Sequence, residues 1–126
     1  MVWIDYLGGS ETEAVGRFAE ALERGYPVGL TGVIYQEVLQ GVSSESEFER
    51  VSEYLGSQTF YHPVDHVESY TEAARMYFDC RRAGVTIRSA VDCLIARVAI
   101  EHGLILLHDD RDFEKMAGVV PELDLA

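Results

Sequence analysis

The sequence predicts an α/β fold, a three-layer α/β/α domain with a mostly parallel sheet. Three observations carry that expectation. Helical patterns alternate with short apolar, strand-like runs along the whole chain. The run 104–107 is continuously apolar, as expected of a strand covered on both faces. Carboxylates follow directly on that run, at Asp109, Asp110 and Asp112. The C-terminal ends of parallel strands face the crevice where open α/β sheets bind ligands. At 126 residues the chain is long enough for one domain with a real core. Residues 1–126 read as that single domain, without internal repeat, low-complexity segment or linker.

Each element has a local reason. Residues 2–7 form a short apolar stretch. Residues 11–24 read as a helix with Val15, Phe18, Ala19 and Leu22 on one face, closed by Gly25. Residues 26–30 read as a short strand after a turn containing Pro27. Thr31 caps a helix running to about Gln40, where Gly41 stops it. Ser44 caps the next helix, Glu47 completes a capping box, and Phe48, Val51 and Leu55 face inward. Residues 59–62 are a brief strand ended by Pro63. Residues 65–82 form a long helix with Tyr70, Ala73, Ala74 and Tyr77 inward, and Gly84 breaks the chain. Residues 88–102 form the most apolar helix, with Val91, Leu94, Ile95, Val98 and Ala99 as its buried stripe and Gly103 as its end. The strand 104–107, a short helix over 111–117 and an edge strand over 123–125 complete the chain.

Apolar residues make up 48% and the net charge is −12. That charge argues against nonspecific nucleic-acid binding through a basic surface. It leaves room for an enzyme acting on nucleic acid, because a clustered metal site concentrates negative charge that divalent ions offset. It also suits a basic protein partner. Lys115 is the single lysine, and the other nine basic residues are arginines. Arg81, Arg82 and Arg88 lie close before Asp92, and arginine grips phosphate in a two-pronged way. For Arg81 and Arg82 a solvated helix end favoured by the dipole is an equal reading. No apolar run approaches the roughly 18 residues that span a bilayer. The start MVWIDYLGG lacks a basic segment followed by a long apolar stretch, so a cytoplasmic protein with no membrane association is expected. Cys80 and Cys93 fall inside predicted helices and read as reduced core thiols. Phosphate-cradling glycine loops are absent, and nothing suggests a Ser/His/Asp or Cys/His nucleophile.

Four acids stand on or beside apolar elements, where a carboxylate is unusual: Glu37, Asp92, Asp110 and Asp112. Asp92 is the strongest signal, since only Arg97 and Glu101 are charged in the ten residues after it. Glu37 alone would read as a solvent-facing helical glutamate, and it gains weight only from the others. One aspartate of HDDRDF should cap the following helix, but three exceed that need. Asp110 and Asp112, two apart, point to one side of an extended chain while Asp109 points away. His108 reads as structural or solvated. Carboxylates converging at a crevice repel one another unless a cation holds them, and hard oxygen donors suit Mg²⁺ or Mn²⁺.

The segments VWIDYL, EVLQG, GVTIRSAVDCLIA and LLHDDRDF, in this order and spacing, resemble the PIN-domain proteins. They are most similar to the VapC-type ribonuclease toxins of bacterial toxin–antitoxin pairs. The resemblance implies an α/β/α fold, RNA cleavage dependent on Mg²⁺ or Mn²⁺, homodimers, and inhibition by a cognate VapB-type antitoxin. It assigns Glu37, Asp92, Asp110 and Asp112 to the metal and the catalytic centre. Arg88 is the candidate for binding the substrate phosphate. One departure is expected to matter. Members of the family begin with a strand ending in aspartate, followed by Thr or Ser and then VWI. Here Met1 stands at that polar position, and Asp5 lies beyond it, so the first strand and its aspartate are expected to be missing. The alternative function that follows is a catalytically inactive PIN-like module that binds a protein partner.

Overall fold

The computed structural model describes residues 2–126, except the side chains of Ile4 and Asp5. The reading of Met1 and of the Asp5 side chain therefore lies outside the described residues. The chain divides into two compact units, Val2–His62 and Pro63–Ala126.

The N-terminal unit opens with α1 (Val2–Leu7) and α2 (Glu13–Glu23). Thr12 caps α2 by accepting a hydrogen bond from the Val15 backbone N–H at 3.1 Å. Trp3 and Phe18 are buried and meet edge to face at 4.6 Å, which seats α1 against α2. Next come β1 (Gly29–Thr31), α3 (Gly32–Gln40), α4 (Glu45–Gly56) and β2 (Thr59–Tyr61). β1 pairs with β2 in parallel, Gly29 opposite Thr59 and Thr31 opposite Tyr61, so α3 and α4 form the crossover. Gly29 is there because of space: a Cβ would lie 2.5 Å from the Thr59 carbonyl oxygen and 2.6 Å from the Tyr61 ring. Thr31 ends the strand and also caps α3, accepting from Ile34 N–H at 3.2 Å. Ser44 caps α4 as the capping box predicts. Phe48 departs from expectation: it is 45% exposed, and only Val51 and Leu55 of that helix are buried.

The C-terminal unit contains α5 (Glu68–Arg82), α6 (Ala90–Glu101), β3 (Ile105–Leu106), α7 (Arg111–Ala117) and β4 (Asp124–Leu125). β3 and β4 also pair in parallel, with α7 between them. Among the described residues the sheet is thus two parallel ladders, one in each unit. The α/β class and the parallel pairing follow the sequence reading.

Several inward positions differ from it. In α5 the buried stripe is Ser69, Ala73, Met76 and Cys80, whereas Tyr70 and Ala74 are exposed and Tyr77 is half-buried. A serine lies inside because its hydroxyl has a partner there, which composition alone does not reveal. In α6 the buried residues are Cys93, Ile95, Ala96, Val98 and Ala99, while Val91 and Leu94 are half-buried. Ile105 of β3 is 69% exposed, so that strand is not covered on both faces. Cys80 and Cys93 are free, buried thiols. Burial, then Cys80 and Asp92, pushes the Cys93 thiol up to about 11, which makes it inert at neutral pH.

Glu101, at the end of α6, ties this unit together. Its carboxylate accepts from the Ser69 hydroxyl at 2.7 Å, the Val64 backbone N–H at 3.0 Å and Arg97 Nε at 3.1 Å. Ser69 Oγ in turn accepts from Asp65 N–H. Asp65 Oδ1 accepts from the Val67 and Glu68 N–H groups, which explains why α5 begins at Glu68 and not at Asp65. Burial raises the Glu101 carboxyl, but the bonds from Val64, Ser69 and Arg97 outweigh it and hold the group below the usual carboxylate range. A depressed carboxyl stabilises the fold above its unfolded-state pKa, and that stability is lost as pH falls through the folded value. Glu101→Gln should therefore cost about 1–3 kcal/mol at pH 7, as for a lost charged hydrogen-bond acceptor. The difference should shrink as the pH is lowered past the folded value. Urea unfolding of parent and variant at pH 7 and pH 3 checks this; an equal gap at both pH values would exclude the linkage.

Candidate metal centre

Three carboxylates come together in the C-terminal unit. Asp92, Asp110 and Asp112 each offer an oxygen, and these atoms lie within 4.8 Å of one another. Asp92 stands in the first turn of α6, where the dipole favours an acid. Asp110 is the N-cap of α7, accepting from the Asp112 backbone N–H at 2.9 Å. Asp112 follows two residues later, in the first turn of α7, and is only 2% exposed. Capping and joining the cluster are thus not alternatives for Asp110; it does both.

A buried carboxylate needs partners, and Arg88 supplies them twice. Its backbone N–H donates to Asp112 Oδ2 at 2.9 Å, and its Nε donates to the same oxygen at 3.1 Å. The guanidinium also reaches Asp110 Oδ1, at 2.7 Å from Nη2. Lys115 Nζ lies 4.0 Å from Asp112 Oδ1. The Arg88 backbone bond lowers the Asp112 carboxyl most; burial opposes it, and the Arg88 and Lys115 charges add to the lowering. The Arg88 guanidinium is raised, chiefly by its bond to Asp112. Its side chain is nevertheless 72% exposed. One arginine thus bridges two of the acids from the solvent side and joins the segment before α6 to the start of α7.

The sequence-predicted residues are divided as follows. Asp92, Asp110 and Asp112 are brought together, and Arg88 is attached to them. Asp109 is exposed and does not belong to the group. Glu37 lies half-buried on α3 of the other unit and is not among the three grouped acids. His108 carries a feature the sequence did not signal: among the described residues its Nδ1 is the buried side-chain polar atom without a hydrogen-bond partner, and its ring lies 5.6 Å from Phe113. What the sequence missed at the centre is the clasp itself. Its only signal was an arginine four residues before Asp92.

The donor set fits a hard divalent cation. It consists of carboxylate oxygens alone, and three acids against Arg88 and Lys115 leave negative charge in excess. Asp92, Asp110 and Asp112 would hold such an ion directly or through water.

Residues 1–119 match the PIN domain, and the chain belongs to the PIN-domain family. It is 32% identical over 121 residues to VapC ribonuclease Mb1587 of Mycobacterium bovis, and equally to Ribonuclease VapC11 of Mycobacterium tuberculosis. The alignments cover 93% of this chain and 87% of each relative. The resemblance to VapC-type PIN toxins is therefore borne out, and the α/β class with it.

Removing Asp112 and removing Asp110 should have unequal structural costs. Asp112→Ala leaves the part-buried Arg88 N–H without its acceptor and deletes charged hydrogen bonds, a loss of about 2–3 kcal/mol. Asp110→Ala deletes an N-cap, worth about 1 kcal/mol. Chemical denaturation of both variants tests the order; equal or reversed losses would contradict the clasp.

Proposed function

We propose that this chain is a metal-dependent endoribonuclease of the VapC toxin type, hydrolysing RNA phosphodiester bonds with Mg²⁺ or Mn²⁺. The observation that carries the reading is the three-acid cluster, found on a chain 32% identical to VapC ribonucleases. Asp92, Asp110 and Asp112 would hold the ion, with Glu37 joining them as the family resemblance implies. A divalent ion bound there would supply an activated water and neutralise charge developing on the phosphodiester. The chain's own residues do the positioning. Burial and the Arg88 backbone N–H fix the Asp112 carboxylate, and the start of α7 fixes that of Asp110. The Arg88 guanidinium, 72% exposed, would offer its fork to a phosphate oxygen beside the acids. No side-chain nucleophile is needed, in keeping with the inert Cys93 thiol.

The same reading takes residues 1–126 as a single PIN-like domain, acting as a homodimer in the cytoplasm. No described helix is long and apolar enough to cross a membrane. Its inhibitor would be a VapB-type antitoxin presenting a basic, arginine-containing segment. A cluster of carboxylates attracts a guanidinium, and a net charge of −12 speeds encounter with a basic partner.

RNA should be cut in Mg²⁺ or Mn²⁺ and spared in EDTA; cleavage indifferent to chelator would sink the metal mechanism. Asp92→Asn should cut RNA more than about 100-fold more slowly, beyond the about 10–100-fold losses typical of altered outer-shell groups. It should melt no lower than the parent, because it relieves repulsion among the carboxylates. A variant as active as the parent would remove Asp92 from the centre. Antitoxin binding should weaken as salt rises, because exposed charges are screened; titration calorimetry at two ionic strengths measures this, and salt-independent affinity would argue against a charge-led complex.

A further inference from the structure

We propose that the exposed face of α5 is a binding strip for single-stranded RNA, separate from the acidic cluster. The proposal rests on the ribonuclease reading and extends it to a second contact surface. The helix has 15 residues, about 22 Å of length at 1.5 Å per residue. Its buried stripe, Ser69, Ala73, Met76 and Cys80, defines the inward direction. At about 100° per residue, Phe78 and Arg82 point away from that stripe, and Arg75 lies beside them at the border with the acidic flank. Tyr70, Tyr77 and Arg81 lie along one flank. The acids of the helix, Glu68, Glu72 and Asp79, all fall on the other flank. A chain with 22 acidic and 10 basic residues has thus kept one helical strip free of acid and set three arginines and three aromatics along it.

The side chains are arranged as well as concentrated. The Arg75 and Arg82 guanidinium groups lie over the Phe78 ring, at 5.4 and 5.7 Å from its centroid. Arg81 lies over Tyr77 at 5.8 Å. Tyr70 is 51% exposed and Phe78 39%. Arg75 is paired with Asp79 at 3.1 Å, but among the described residues neither Arg81 nor Arg82 has a carboxylate partner. Cations beside exposed ring faces are the elements that hold a single strand, arginine on phosphate and the ring under a base. A second copy of this chain is a poorer occupant, because a two-fold contact centred on the strip would set arginine against arginine. The strip belongs to the same unit as the acidic cluster, and α5 packs on α6, which carries Asp92.

The test uses the full chain and a fluorescent oligouridylate, with EDTA present to prevent cleavage, read by anisotropy over a range of salt. Arg81→Ala/Arg82→Ala should weaken binding roughly tenfold or more and make the log–log salt slope shallower by about 1.4, two phosphate contacts at about 0.7 each. Phe78→Ala should weaken binding about fivefold to a hundredfold through lost stacking, with the slope unchanged. All three positions are exposed, and circular dichroism melts check that the variants fold. Asp92→Asn should still bind. Parent protein that fails to bind, or variants with unaltered affinity and slope, would overturn the strip. So would unaltered RNA affinity with a changed solution mass in sedimentation, which would make α5 an interface between copies. Cleavage of the same RNA in Mg²⁺ or Mn²⁺ is scored separately: RNA bound through the strip but never cut leaves the strip standing and removes the nuclease reading.

Discussion

Like charges a few ångströms apart repel strongly, by about 4 kcal/mol at 4 Å for an effective dielectric near 20. Asp92, Asp110 and Asp112 are held within that range, and the architecture of the C-terminal unit is shaped by what makes it tolerable. Asp92 takes the favourable end of a helix dipole. The Asp110 carboxylate accepts from the Asp112 N–H at the start of α7 and from the Arg88 guanidinium. Asp112, the buried one, has the backbone and the side chain of Arg88. The Asp112 carboxyl is held below the usual carboxylate range, first by the Arg88 backbone N–H. The three carboxylate oxygens are thus already gathered before any ligand arrives.

The second support is the joint between α5 and α6. Met76 and Cys80 on one helix and Cys93, Ala96 and Val98 on the other supply fully or nearly fully buried apolar groups, small enough at Ala96 and the two cysteines for close approach. The Glu101 carboxylate closes the far end of α6 onto the start of α5 through Ser69 and Val64. Asp92 is nine residues before Glu101 on the same helix, so this joint sets where Asp92 stands. Charge chemistry at one end of α6 and a polar latch at the other are two halves of one positioning device.

Charge is also distributed unevenly along the chain. The acidic balance is set against a minority of arginines, four of which lie between Arg75 and Arg88. One of them, Arg88, clasps the acids; the others stack on aromatic rings of α5. In a chain with a net charge of −12, this segment is where cations and exposed rings are gathered.

Much was legible in the sequence by itself. Alternating helices and short apolar runs specified the α/β class and parallel crossovers. The caps at Thr31 and Ser44 were readable because capping is a matter of a few adjacent residues. Asp92, Asp110 and Asp112 stood out because a carboxylate beside apolar residues is costly and calls for a reason. Tertiary structure alone decided the rest. It placed Ser69 inside and Tyr70 outside, because a buried hydroxyl is stable only where a partner such as Glu101 reaches it from 32 residues away. It left Phe48 and Ile105 exposed, because periodicity marks a face without saying what covers it. And it made Arg88 the clasp of Asp110 and Asp112, because a bond across 22 and 24 residues depends on how the chain returns, which no local pattern encodes.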